Sequence, residues 1–245
     1  MRFRVPVAAA TAVVAWVLWT APVFTGIADP ILDWNLVTLQ TIRELRLPPP
    51  RASRVLAMVH AATFDAVNGI ELTFEPYYVT RPAVPGASAD AAAAAAAHGV
   101  LTGVFPDAGP YFDAQLAVSL SGVRPPAARN KGVAWGRFVA GQILKLRRDD
   151  GSDAVVVYTP SGEFGRWEPT PPGFADALLP QWPQVTPFVM WSGGALRPVE
   201  PPELSSLEFA TAFLEVKELG SVASVLRTAD ETQIAFFWED GPGSA

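Results

Sequence analysis

The chain has 245 residues, 50% of them hydrophobic types and 17% charged, with a formal net charge of 18 − 24 = −6. An acidic chain without a basic stripe is a poor nucleic-acid binder. The lack of cysteine excludes disulfides, thiolate metal sites and cysteine nucleophiles. His60 and His98 are the only imidazoles, so a mechanism that needs two must use both. The apolar content is enough for one large core or two small ones.

The N-terminus, residues 1–28, reads as an export signal. Arg2 and Arg4 form a basic start, Val5–Trp19 is an apolar run, and Gly26 and Ala28 stand at −3 and −1 of a cut before Asp29. The alternative is an uncleaved membrane anchor, because apolar character continues to Ile27. The core run is short against the about 20 residues that a span needs. Both readings place the folded part, 29–245, outside the cytoplasm, and any membrane contact would come through this segment alone.

Helical patterns follow in order. Leu32–Leu47 predicts a helix stopped by Pro48, Pro49 and Pro50. Ala52–Ile70 has an apolar stripe at Val55, Val59, Ala62, Ala66 and Ile70, spaced by fours and threes. Phe74–Pro85 reads as a loop. Ala87–Val104 predicts a helix with Ser88 as N-cap and Asp90 in its first turn. Its alanines, Ala91–Ala97, combine high helix propensity with room for close packing. Tyr111–Leu120 is a shorter helix. Pro126–Arg148 presents Trp135, Val139, Ile143 and Leu146 on one face, ends in basic residues that suit its dipole, and stops at Gly151. Only Val155–Tyr158 has strand character.

Residues 151–202 break this pattern. They hold ten of the 24 prolines, together with Trp167, Trp182 and Trp191. Such a stretch is too rich in tryptophan for a flexible linker, and it predicts an ordered excursion wrapping the helices. Helix resumes over Glu203–Leu219, with Gly220 as its stop. Thr228–Glu231 is a capping box that opens a last helix to about Glu239. The fold class is all-α, a helical bundle with a long proline- and tryptophan-rich wrapping segment.

The candidate chemical groups are sparse. On a helix Asp65 lies about 140° around from His60, so the two cannot pair on one face. Asp65 and Asn68 are expected to bond to neighbouring backbone, and His60 to be a hydrogen-bonded core residue. His98 has no acidic residue one turn away and reads as a packed or surface imidazole. There is no HExxH, no GxSxG and no phosphate loop. Asp149-Asp150 and Glu239-Asp240 read as solvated helix ends.

The stretch Arg51–Ile70, RASRVLAMVHAATFDAVNGI, resembles the N-terminal half of vanadium-dependent haloperoxidases and their relatives in the type 2 phosphatidic-acid phosphatase superfamily. Further blocks resemble that family in order: Trp34-Asn35, Ser88–Leu101, Ile143–Gly151, Tyr158–Pro160, Gly165–Pro172, Leu178–Trp182, Gln184–Phe188, Arg197-Pro198, Val216-Lys217, Arg227-Thr228 and Phe237–Asp240. The resemblance implies an all-helical fold of two bundle-like halves. It also implies a site for vanadate or phosphate, built from a lysine–arginine block ending in Arg-Pro, a Pro-Ser-Gly-His block and a last block with Arg and His. Cationic side chains neutralise such an oxyanion, and one imidazole moves protons while the other attacks phosphorus or ligates vanadium.

None of those blocks is assignable in this chain. Arg81-Pro82, Arg124-Pro125 and Arg197-Pro198 lack the upstream lysine, and Pro160-Ser161-Gly162-Glu163 has Glu where histidine is required. The expectation is therefore a truncated or split relative, inactive alone, with no catalytic, cofactor-binding or metal-ligating residue of its own. Vanadate or phosphate is implied only for intact relatives, whose reactions are peroxide-dependent halide oxidation or phosphoester hydrolysis. The alternative is an exported helical binding or scaffold module. Either reading allows a catalytic-half partner or a homo-oligomer.

Overall fold

The computed structural model describes residues 29–239. The export or anchor segment and Asp240 lie outside them. Among the described residues are seven α-helices and two single 3-10 turns, with no strand. The all-helical expectation holds, and none of these helices is long and apolar enough to cross a membrane.

Helix α1 spans Pro30–Glu44. It begins earlier than its apolar pattern suggests, because Asp29 caps it by accepting from Ile31 N at 2.8 Å and Pro30 fills its first turn. Helix α2 spans Pro49–Glu71, so the prolines open this helix as well as closing the linker before it. A proline at the first helical position loses no bond, since that N–H would be unpaired in any case. Helix α3 spans Ala89–Val104, capped by Ser88 as expected. Helix α4 covers Gly109–Ser121, and α5 covers Pro126–Leu146.

Helix α3 is the central element, with α1, α2, α4 and α5 packed on it. Ala91 to Ala97 are all at most 1% exposed, so the alanine run is buried on every side. Helix α5 approaches it closely through two glycines. A Cβ on Gly136 would collide with the Ala92 carbonyl, and one on Gly132 with the Ser88 carbonyl. Small residues on both helices thus fix the interhelical distance. Larger side chains fill the space around this contact: Trp34, Met58, Leu101, Phe112, Val139 and Ile143 are all buried. Trp135 closes the α2–α5 seam, with Nε1 donating to Ala66 O at 2.9 Å.

Helix α6 (Leu207–Gly220) and helix α7 (Ala229–Trp238) bury no residue. Helix α6 starts later than Glu203 because Ser206 supplies the cap, accepting from Phe209 N at 3.1 Å. The capping box of α7 is present, with Thr228 and Glu231 serving each other's backbone amides. Val155–Tyr158 forms no strand. It is exposed, and an isolated extended segment has no ladder partner to hold it.

Within 151–202, bundle contact is concentrated at Gly151–Ser152 and 181–188. Tyr77 Oη donates to Phe188 O at 2.9 Å and Arg147 donates to Thr186 O, while Gln181 Nε2 ties the segment to its own start by donating to Ser152 O at 3.0 Å. Trp167 packs on Tyr158 with ring centroids 5.5 Å apart, while Trp191 is 84% exposed. The anchors of this segment to the bundle are mainly polar, and the tryptophans contribute less than their number suggests.

Candidate functional site

The His–Asp–Asn pattern of α2 resolves into separate structural roles. Asp65 is fully buried. Its carboxylate accepts from the backbone amides of Tyr77 at 2.7 Å, Tyr78 at 2.9 Å and Val79 at 2.8 Å. Asn68 brackets Phe74, accepting from its N–H at 2.8 Å and donating to its carbonyl at 2.7 Å. The two side chains hold the α2–α3 loop on the helix. Their backbone role is the expected one, though Asp65 reaches partners 12 to 14 positions away.

His60 departs from expectation. It is exposed rather than buried, and its Nε2 lies 3.0 Å from Asn35 Oδ1 on α1. It lines a cleft of about 420 Å³ with Ile31, Phe64, Val67 and Phe74. His98 is packed, one of the two expected placements. It has an acidic partner, Asp113 of α4, with Nε2 and Oδ1 2.8 Å apart. Local spacing could not show this pair, because 15 residues and a helix turn separate its members. Trp34 packs edge-on to the His98 ring at 6.1 Å. The two imidazoles thus have different partners, and among the described residues neither bonds to a hydroxyl that could act as nucleophile.

The arginines of the three Arg-Pro pairs are dispersed. Arg81 stacks over the Phe138 ring at 4.5 Å. Arg124 donates to the carbonyls of Ser121 and Val123 at its own helix end, and Arg197 is exposed. Ser161 and Glu163 are exposed in the excursion, where Gly162 N donates to Glu168 at 2.7 Å. No group of three or more histidine, aspartate or glutamate side chains among the described residues is arranged to hold a metal ion.

The most concentrated polar cluster lies elsewhere, on Asp150. This residue is only 4% exposed and is no solvated stop. Its Oδ2 accepts from Arg54 Nε at 2.7 Å and forms an ion pair with an Arg147 terminal nitrogen at 2.8 Å, while Ser152 N donates to Oδ1 at 3.0 Å. Burial pushes the Asp150 pKa upward. Hydrogen bonds from Arg54 and Ser152, with the Arg54 charge, outweigh burial and hold the carboxyl below its ordinary range.

Around this ion pair the chain is tied together. Arg54 also donates to Arg147 O at 2.8 Å. Arg147 donates to the carbonyls of Thr186 and Pro187 and stacks over Phe188 at 4.0 Å. Thr186 N donates to Asp150 O at 2.9 Å. The cluster around this buried carboxylate therefore joins α2, the end of α5 and, through Arg147 and the Asp150 carbonyl, the 186–188 segment. Arg147-Arg148 next to Asp149-Asp150 is the sequence trace of this cluster, but Arg54 lies 96 positions away and only the fold brings it there.

A five-helix bundle built on a buried alanine run, with polar clasps and, among the described residues, no converging set of imidazoles and cations, is the class the geometry defines. The chain is similar in structure to a bacterial vanadium-dependent iodoperoxidase known from its crystal structure, with a TM-score of 0.71 and 24% sequence identity, over 89% of this chain and 57% of that one. The fold is haloperoxidase-like, and the chain spans little more than half the length of that neighbour. No protein-family model matches the chain. No curated protein sequence matches it.

Proposed function

We propose that these residues form the front, non-catalytic half of a vanadium haloperoxidase-like protein, inactive by itself and completed by a second helical half. The observation that supports this reading most is the structural likeness, which takes in 89% of the chain and only 57% of the iodoperoxidase. The scattered arrangement of His60, His98 and the Arg-Pro arginines supports it too. A vanadate or phosphate site needs several cations and imidazoles on one oxyanion, and the described residues bring no such set together. In the completed protein the second half would supply that site and the chemistry, peroxide-dependent halide oxidation or phosphoester hydrolysis. The residues of the front half would support it by packing.

Helix α7 favours the same reading. Ile234, Phe236, Phe237 and Trp238 are 50% to 77% exposed. A last turn apolar on nearly consecutive positions offers water no polar side there and is suited to burial against a larger body. The alternative, an exported scaffold module with another partner, rests on the same exposed face. Export through residues 1–28 is part of both proposals, and mass spectrometry of the secreted protein, showing a first residue at Asp29, is its test.

Equilibrium dialysis against vanadate tests the main reading. The expected result is no tight stoichiometric site in residues 1–245, with one appearing when a helical half bearing the Arg-Pro and Pro-Ser-Gly-His blocks is added. A tight stoichiometric vanadate site in this chain alone would refute it.

A further inference from the structure

We propose that a cleft between the start of α2 and the ends of α3 and α5 binds a small amphiphilic carboxylate. The cleft has a volume of about 610 Å³, within the range of small-molecule sites. Its apolar wall includes Leu47, Met58, Phe105 and Leu144, and its cationic wall consists of Arg51, Arg54, Lys145, Arg147 and Arg148. This assignment is independent of the vanadate question, because none of these residues belongs to an Arg-Pro block or is a hydrogen-bond partner of either histidine.

Charge balance separates a ligand site from a merely satisfied helix end. Five cations line the cleft, and two carboxylates offset them. Asp153 pairs with Arg51 at 3.7 Å, and Asp150 pairs with Arg54 and Arg147. Asp149 is not part of the wall. The carboxyl ends of α3 and α5 each add roughly −0.5 and the amino end of α2 roughly +0.5. A surplus of roughly +2 to +3 remains, in a chain whose net charge is −6.

Lys145 and Arg148 make no ion pair among the described residues, and both are exposed. Arg147 is only 3% exposed, and its Nε is buried without a hydrogen-bond partner. The cleft thus holds its inner arginines rigidly through Asp150 and leaves its outer cations available for an anion.

The apolar wall selects the rest of the ligand. Gly141 lines the cleft, and a Cβ there would meet nothing within 4 Å. That open space beside Leu144 suits a short hydrocarbon body, with the carboxylate directed to Lys145 and Arg148. A bare inorganic anion would use only the cationic wall, and a neutral alcohol only the apolar one.

The experiment is an NMR titration of residues 1–245 with octanoate, octan-1-ol and inorganic phosphate. Octanoate is expected to saturate shifts at Gly141 and Lys145, and to bind at least about tenfold more tightly than either control. The double variant Lys145→Gln/Arg148→Gln should weaken octanoate about tenfold, the effect of losing about 1.4 kcal/mol. Gly141→Leu should weaken octanoate at least about tenfold by occupying the space beside Leu144. Its thermal stability should hold or rise, since leucine favours a helix over glycine. Octan-1-ol or phosphate binding as tightly as octanoate, no saturable octanoate binding, or unchanged octanoate affinity in Gly141→Leu would each overturn the proposal.

Discussion

The front of the molecule, from α1 to Ser152, and the rear, from Asp153 onward, use similar apolar residues to opposite ends. In the front, the Ala91–Ala97 run of α3, whose side chains are single methyl groups, is buried on every side. In the rear, Phe164, Trp191, Val222 and Phe237 are 72% to 100% exposed. The difference is one of partners. Helix α3 has four helices around it, whereas α6 and α7 bury no residue. Hydrophobicity specifies that a residue is to be covered, and the rest of the fold decides whether the cover is present.

Substitutions can break this contrast at its strongest point first. Asp150→Ala should destabilise the front by about 3–5 kcal/mol, because it leaves Arg54 and Arg147 without their carboxylate. Urea unfolding followed by circular dichroism measures the loss. Gly136→Ala should cost about 3 kcal/mol in the same assay, since its Cβ meets backbone rather than a movable side chain. Asp65→Ala should cost about 2–3 kcal/mol by stranding three loop amides. In the rear, Phe237→Ser should change stability by less than about 0.5 kcal/mol, while lowering self-association in sedimentation.

Acid sharpens the same contrast. The folded-state pKa of Asp150 lies below the ordinary value of 3.8. A carboxyl depressed on folding contributes stability that is fully present above its unfolded pKa and is lost as pH falls through the folded one. Stability of the front should therefore fall as pH drops below about 4. In Asp150→Ala that part of the pH dependence should be absent when urea midpoints are compared across pH.

Local signals in the sequence predicted much of the fold. Ser88 and Thr228 mark helix starts by side-chain chemistry confined to one turn. The alanine run reads correctly as a close-packing helix because its meaning depends only on the absence of side chains. The errors came where tertiary partners decide. Asp150 looked solvated beside Asp149, yet it meets Arg54 from another helix. His98 looked unpartnered, yet α4 folds back to place Asp113 against it. His60 looked like a core residue on an apolar helix, yet α2 turns it to the surface beside Asn35. Cap and periodicity rules reach about one helix turn, and these contacts span 15 to 96 positions.

On the reading proposed above, the front bundle is self-sufficient and the rear helices await a covering partner. Native-state hydrogen exchange on residues 1–245, at a dilution where sedimentation shows a monomer, tests it directly. The account predicts amides of α3 and α5 that exchange only through global unfolding, and amides of α6 and α7 that exchange by local opening at little cost. Protection of α7 equal to that of α3 in the monomer would contradict it.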